Sequence, residues 1–595
     1  MKELMTGNEA IARGAYEAGV KYATAYPGTP STEILENIVK YKEKILAEWA
    51  SNEKVAYEAA YGACKAGART LAAMKHVGLN VAADPMFTSS YTGVNGGMVF
   101  ISADEPGHFS SQNEQDNRNY AKAAKLPMFE PANSQEAKDM VKEAFDLSEK
   151  YNVPVIVRMT TRVCHSKSIV EINDRIEKQL KKYTKNVQQN VPVPAFVKKM
   201  RETVEKRTEE LRRYSNETQN NSIEINSKEN GIIVSGAPYH YAKEVFRNNV
   251  SYLKLGFTNP LPDEKILEYA KNIENIYIIE ENDPYIEDYV RKLGIECKGI
   301  DTFPYTGEKT PDVIRKTIYG ETFPVIEHDD GKVVARPPTL CAGCPHRGFA
   351  IELGKKKNVF MSGDIGCYSL VFAEPYNAMD ISLCMGAGFS IGHGAQQVFD
   401  MTENNQNYKV VSFMGDSTFF HTGINSLINV AYNRSNTVNI ILDNRITGMT
   451  GHQENPGSGY TIQGKKTAEV DIEAIVKACG IRKVVTIDPN NLKLVRDTLD
   501  WAFELKEPSV IITRWPCVLK RLSEEDKEEF QNIFKNKCSI NKEKCVGCKL
   551  CIKTGCPAIS FNKNEKKAVI SEMDCVGCTV CRQVCPANAI DMEVN

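Results

Sequence analysis

"VVSFMGDSTFFHTGINSLINVAYNRSNTVNIILDN" occupies residues 410–444. It opens on an apolar run that ends at Gly415-Asp416-Ser417. Ile424, Leu427, Ile428 and Ala431 then recur at helical spacing, and a second apolar run ends at Asp443-Asn444. Strand, helix and strand in that order predict one βαβ unit of a parallel sheet. Both polar groups stand at carboxyl ends of parallel strands, where open sheets bind ligands. Asp416 and Asn444, 28 residues apart, are oxygen donors suited to one hard cation such as Mg2+, which bridges phosphates. Gly415, without a side chain, lets the backbone approach a pyrophosphate. Read more plainly, the same Asp and Asn would only end two strands in loops.

Outward from this unit the chain divides into five zones. Residues 1–165 alternate helix and strand signals, with a capping box at "TGNE" (6–9), a strand at "YATAY" closed by the turn "PGTPS", and apolar strands at 98–104 and 153–159. Residues 166–230 are charged; Val197, Met200, Val204 and Leu211 predict one amphipathic helix, and "SNETQNNS" (215–222) reads as a polar loop. Residues 231–330 return to α/β with strands at "GIIVSG" and "IYIIEEN", and residues 335–520 form the zone around the βαβ unit. A charged helix, "SEEDKEEFQNIF", precedes a last module at 537–595. The expected fold is therefore α/β, several doubly wound parallel-sheet domains, with a small α+β domain at the C-terminal end.

That module holds two cysteine runs. Cys575, Cys578, Cys581 and Cys585 follow C-x2-C-x2-C-x3-C-P, the bacterial ferredoxin spacing. Cys545, Cys548, Cys551 and Cys556 repeat it with a last gap of four residues. In two-cluster ferredoxins the fourth cysteine of each run ligates the other cluster. One [4Fe–4S] cluster is thus assigned to Cys545, Cys548, Cys551 and Cys585, the second to Cys575, Cys578, Cys581 and Cys556. Zinc would take separated CxxC pairs, often with His, and no His lies in this segment. Disulfides would require an oxidising compartment.

Lys and Arg number 74 against 76 Asp and Glu, a net charge of −2 that points to neither nucleic acid nor an anionic membrane surface. No apolar run approaches the ~20 residues of a membrane span, and "MKELMTGNEA" has no signal-peptide core. The 18 cysteines fit a reducing cytoplasm, and clusters of this type favour low oxygen.

The Gly415-Asp416-Ser417 and Asp443-Asn444 pair resembles the thiamine diphosphate motif, GDG followed by about 25 residues and NN, with departures at Ser417 and Asp443. The resemblance implies Mg2+ on Asp416, Asn444 and the main-chain carbonyl of Ile446. "AYPGTPSTE" (25–33) and "NEKVAYEAAYGACKAGA" look like the first domain of pyruvate:ferredoxin oxidoreductase and its relatives. There a glutamate matching Glu53 activates the cofactor's aminopyrimidine ring, with Glu58 the fallback, and Thr29 matches a threonine near the substrate carboxylate. "KHVGLN" (75–80), "SSQNEQDNR" (110–118), "PPTLCAGCPHRG" (337–348), "GDIGCYS" (363–369), "SLCMGAG" (382–388) and "ITGMTGHQENPGSG" (446–459) follow the family's order. The whole chain most closely resembles the indolepyruvate:ferredoxin oxidoreductase alpha-subunit family.

The resemblance implies two thiamine-diphosphate-binding domains (1–165 and 335–520), a transketolase C-terminal-like domain (231–330), and cofactor contacts at Gly386 and Thr450 besides Gly415, Asp416, Ser417 and Asn444. It implies oxidative decarboxylation of arylpyruvates with CoA to aryl-acetyl-CoA, CO2 and reduced ferredoxin. It also implies a smaller beta subunit carrying the family's gamma-type domain, in a hetero-oligomer such as α2β2. Cys341, Cys344, Cys367 and Cys517 match a proximal-cluster set of the wider family and are candidate ligands of a third cluster, or else free thiols. His76 and His452 are candidates for proton handling, and His346 reads as a satisfied core histidine rather than a polar neighbour of the Cys341 site. Two other functions stand beside this one: the same chemistry on another 2-oxo acid, and an electron-transfer subunit without its own thiamine chemistry.

Overall fold

The computed structural model describes residues 1–324, 331, 333, 334, 336–401, 408–530 and 534–593. The chain forms two compact units, 1–328 and 329–595.

The first unit is built on a seven-stranded sheet in the order Phe257–Asn259, Met128–Phe129, Val155–Thr160, Met98–Asp104, Thr70–Lys75, Tyr22–Ala25 and Leu46–Trp49. Six strands are parallel, and Phe257–Asn259 joins antiparallel to Met128–Phe129. Every residue of Met98–Asp104 is buried, as its unbroken apolar run requires when helices cover both faces. The chain steps one way from Tyr22–Ala25 to Leu46–Trp49 and the other way to Thr70–Lys75. The crevice at that switch point receives the turn after Ala25 and the start of helix His76–Thr92. The expected capping box is formed: Thr6 and Glu9 cap helix Gly7–Glu17.

A second sheet orders Asn275–Ile279, Asn230–Ser235, Ser251–Leu255 and Asn221–Glu224, the last antiparallel. It is not self-contained in the way the sequence suggested, because residues 257–259 complete the seven-stranded sheet. The stretch read as a polar loop at 215–222 is instead a joint. Asn221 is buried, donates to the Ser215 and Phe257 carbonyls at 3.0 Å, and accepts from the Gly256 and Phe257 amides at 3.0 and 2.9 Å. A side-chain amide can satisfy four backbone groups where two elements meet, which local composition does not reveal. The amphipathic helix is present as Pro194–Glu217, burying Met200, Val204 and Leu211. A buried charge network, Asp104–Arg158–Glu130 and Asp116–Arg118–Glu280, ties the two sheets together at 2.5–2.8 Å.

The second unit holds a five-stranded, fully parallel sheet in the order Val359–Ser362, Lys409–Gly415, Val438–Asp443, Ser509–Arg514 and Lys483–Ile487. The predicted βαβ unit lies at its centre. Its helix differs in phase from the sequence pattern: Gly423, Ser426, Leu427 and Val430 are buried, while Ile428 is 48% exposed. Small residues decide the face. A Cβ on Gly423 would lie 2.3 Å from Met414 Sδ, and Ser426 Oγ donates to the Gly386 carbonyl at 2.9 Å. A turn of π-helix at Phe419–Gly423 re-aims the helix that follows. The charged helix after the sheet is Glu524–Glu529, and residues 531–533 of that stretch lie outside the described residues. The last module pairs Lys537–Ile540 with Ile590–Glu593, and Ile559–Asn562 with Lys567–Ile570.

Candidate active site

Asp416 leaves strand Lys409–Gly415 and Asn444 follows strand Val438–Asp443, its neighbour in the sheet. Asp416 is buried, accepts from Asn455 Nδ2 at 3.0 Å, and no Lys or Arg pairs with it among the described residues. Burial and the adjacent Asp443 push its carboxyl up to about 7. Two neighbouring buried carboxylates, of which only Asp443 has a guanidinium (Arg514 Nε, 2.8 Å), leave a net negative pocket. Such a pocket fits a hard divalent cation. Asn444 is buried, its Oδ1 accepts from the Ile446 amide at 3.2 Å, and its Nδ2 lies 3.5 Å from His346 Nε2. Ser417 Oγ meets Asn455 Nδ2 at 2.9 Å and Thr447 Oγ1 at 2.8 Å. Thr450 turns to Gln453 at 2.6 Å, so Thr447 is the hydroxyl beside Asp416-Ser417.

Gly415 is required by more than a ligand's approach, since a Cβ there would lie 2.9 Å from the Tyr368 ring. Gly386 is at φ +90°, with Thr422 Oγ1 1.7 Å from where a Cβ would be. That loop is pinned by a residue sequence reasoning missed. Asp364 accepts from the Ile365, Gly386 and Gly388 amides at 2.7, 2.9 and 2.7 Å, and burial pushes its carboxyl up to about 6. His346 is buried with Nδ1 unpartnered and edge-on to Tyr368, which makes it a polar neighbour of Asn444 rather than a satisfied core histidine. Burial lowers it to about 4, so it is a neutral imidazole.

Cys341, Cys344, Cys367 and Cys517 gather on the same side. Burial, with Cys367 and Cys517 nearby, raises Cys344 to about 12; burial, with Cys517 and Cys341 nearby, raises Cys367 to about 11. Cys517 is raised by burial, by Cys341 and by Asp416. The Cys341–Cys344 turn abuts the last module: a Cβ on Gly343 would lie 2.0 Å from Val576 Cγ2. Arg347 bridges the seam, donating to the Cys341 carbonyl and the Thr554 carbonyl, both at 2.7 Å.

The eight ferredoxin-spaced thiols divide between two cavities. Cys545, Cys548, Cys551 and Cys585 line one. Cys575, Cys578, Cys581 and Cys556 line the other, whose wall includes Ala342 and Gly343. Each set thus includes the fourth cysteine of the other run. Among the described residues no three Cys, His, Asp or Glu side chains form a ready metal site; the thiols stand on cavity walls, a donor set that fits iron–sulfur clusters.

In the first unit Glu53 is buried at the first position of helix Glu53–Lys65, capped by Asn52. The backbone of Gly78 presses on its carboxylate, since a Cβ there would lie 2.6 Å from Glu53 Oε1. Lys75, whose pKa burial lowers against the pull of Glu105 and Glu53, lays its stem over Gly28 of the "PGTP" turn at 3.0 Å from where a Cβ would be. Thr29 is the half-exposed residue of that otherwise buried turn. Glu58 is a solvated residue paired to Lys54 at 2.5 Å, which removes it as the fallback. His76 is fully buried, with Nε2 at 2.9 Å from the Asn113 carbonyl; His452 lies at φ +67° in its loop.

Residues 13–231 match the family described as pyruvate flavodoxin/ferredoxin oxidoreductase, thiamine diphosphate-binding. Residues 364–513 match the thiamine pyrophosphate enzyme C-terminal TPP-binding domain, and 523–589 the 4Fe-4S dicluster domain. Over 99% of its length the chain is 39% identical to the indolepyruvate oxidoreductase subunit IorA of Archaeoglobus fulgidus, covering 97% of that protein. The like-named subunits of Methanothermobacter marburgensis and Pyrococcus horikoshii are each 38% identical with the same coverage. The chain belongs to the indolepyruvate oxidoreductase IorA family. It is a subunit of a 2-oxoacid:ferredoxin oxidoreductase, with thiamine-diphosphate-binding domains and a dicluster domain. The IorA-family relatives are named as subunits. A 2-oxoglutarate:ferredoxin oxidoreductase from Magnetococcus marinus, solved with 2-oxoglutarate, coenzyme A and succinyl-CoA, aligns over 54% of the chain and 65% of its own, at 16% identity and TM-score 0.46. Among the described residues no helix is long and apolar enough to cross a membrane.

Proposed function

We propose that this chain is the catalytic subunit that oxidatively decarboxylates an arylpyruvate, indolepyruvate foremost. One 2-oxo acid, one CoA and two oxidised ferredoxins give aryl-acetyl-CoA, CO2, two reduced ferredoxins and a proton. The reading is carried by one observation in the second unit. Asp416 is a buried carboxylate without a cation partner among the described residues, and Cys517 stands within its electrostatic reach, in a set of thiols that abuts a ferredoxin-type cavity. The substrate itself rests on the relatives' printed name.

Thiamine diphosphate, when bound, supplies the electron sink that lets a 2-oxo acid lose CO2. The side chains of Asp416 and Asn444 and the carbonyl of Ile446 would hold its Mg2+, and Gly415, Ser417, Gly386 and Thr450 would border it. Asn455 and Thr447 orient Asp416 and Ser417. Glu53 would hydrogen-bond the cofactor's pyrimidine ring through its carboxyl group, and the Thr29 hydroxyl would orient the substrate carboxylate. Cys341, Cys344, Cys367 and Cys517 would hold a third cluster. The domain limits are those of the sequence reading, with 257–259 given to the first sheet. A smaller beta subunit and ferredoxin complete the assembly, in a reducing cytoplasm that suits the free cysteines.

The test is Glu53→Gln in the complex prepared anaerobically with its partner subunit. Turnover should vanish while iron stays at the wild-type value, about twelve per chain for three [4Fe–4S] clusters. Full turnover in Glu53→Gln would reject the role of Glu53, and about eight iron per wild-type chain would reject the third cluster.

A further inference from the structure

The two thiol-lined cavities are not equivalent. The one lined by Cys556, Cys575, Cys578 and Cys581 has a fifth thiol on its wall, Cys538. A [4Fe–4S] cluster takes four protein sulfurs. Cys538 is 4% exposed on strand Lys537–Ile540, its amide donates to Cys575 Sγ at 3.3 Å, and it lines the same cavity as Cys575 and Cys581.

The module's internal repeat supplies the comparison. Lys537 Nζ donates to the Cys575 carbonyl, and Lys567 Nζ donates to the Cys545 carbonyl. Each strand ahead of a cysteine run thus reaches the first cysteine of the other run. Cys538 stands seven residues ahead of Cys545, and Ala568 stands seven ahead of Cys575. Ala568 lines the opposite cavity, buried to 3%. One cavity therefore presents an S–H donor where its counterpart presents a methyl group.

We propose that Cys538 is a non-ligating thiol that hydrogen-bonds the ligand sulfurs of the second cluster and so sets that cluster at a higher reduction potential than the first. Hydrogen bonds to cluster sulfurs favour the more negative, reduced state and are a main control of potential. Cys538 acts through Cys575 and Cys581 and is a positioning residue. The inference rests on the reading that these cavities hold clusters. Its sign is fixed by chemistry: a donor raises the potential, and its removal lowers it.

The experiment is a redox titration followed by electron paramagnetic resonance on the complete complex prepared anaerobically, with iron counted in every sample. Cys538→Ala should shift the higher of the two dicluster potentials downward by about tenfold in the reduction equilibrium, about 59 mV for one electron, with iron unchanged. Cys538→Ser, which keeps a donor, should restore most of the shift. Ala568→Cys should raise the lower potential and narrow the gap. Unchanged potentials in Cys538→Ala at full iron would overturn the proposal, as would loss of iron from that variant, which would make Cys538 a ligand. If Cys538→Ala does not assemble, unchanged potentials in Ala568→Cys overturn it. Wild-type complex without dicluster signals would instead remove the cluster reading beneath it.

Discussion

Gly78→Ala separates the setting of Glu53 from the stability of its unit. A Cβ at Gly78 would lie 2.6, 2.7 and 2.9 Å from Glu53 Oε1, Cγ and Cδ. Reaching an ordinary contact of about 3.5 Å requires the carboxylate to move by about 1 Å. Overpacking of this kind costs about 1–3 kcal/mol, while replacing a helical glycine returns about 1 kcal/mol. The fold therefore survives, with a net loss of about 0–2 kcal/mol. A catalytic group displaced by about 1 Å can lose about 100-fold in rate. Gly62 is the internal control: it lies in the helix that Glu53 begins, and nothing stands within 4 Å of a Cβ there. Gly62→Ala should raise the unfolding temperature slightly and leave turnover intact. The assay is anaerobic 2-oxo acid-dependent ferredoxin reduction by the complex, with iron content and thermal unfolding measured on the same samples. Gly78→Ala with wild-type turnover would refute the assignment of Glu53, because the carboxylate cannot keep its place.

Asp364→Ala strands three backbone donors, the Ile365 amide and two at the 386–388 loop. At about 1–3 kcal/mol per buried unmet donor, partly offset by relief of a buried carboxylate, the net loss should be about 3 kcal/mol, read by denaturant unfolding. Glu281 is buried and burial raises it to about 7 against an ordinary 4.5. The folded state thus holds this proton more tightly than the unfolded chain. Stability from this group is full below about pH 4.5 and lost as pH rises through about 7, by roughly 3 kcal/mol. Glu281→Gln should raise the unfolding temperature at pH 8.5 and leave it nearly unchanged at pH 4.5, and an equal effect at both would contradict this.

What the sequence disclosed follows from how local each signal is. The ferredoxin runs are short and rigidly spaced, so the grouping of their thiols, including the exchanged fourth cysteines, could be written down before any coordinates, and the two cavities show that grouping. Asp416 and Asn444 were legible because one βαβ unit carries both to adjacent strand ends. The burial of Glu53 was hidden, since a glutamate opening a helix looks like any solvated residue until Gly78 is seen against it, and only the family motif singled it out. Asp364 was hidden because its three partners are a neighbour and two amides more than twenty residues away. Asn221 was hidden because a polar run that staples two sheets has the composition of a loop. Cys538 was hidden because its relation to Cys575 spans 37 residues and belongs to neither run. Ile428 was misjudged because apolar periodicity does not register that Gly423 and Ser426 are the residues small enough to face the sheet.

The central claim is that this one chain both decarboxylates the 2-oxo acid and receives its electrons. The direct measurement is to mix the oxidised complex with indolepyruvate and CoA, without ferredoxin, and freeze it within one turnover for electron paramagnetic resonance. The account predicts signals of reduced [4Fe–4S] clusters in wild type and none in Glu53→Gln of equal iron content. Wild-type clusters that stay oxidised while CO2 is released would contradict it.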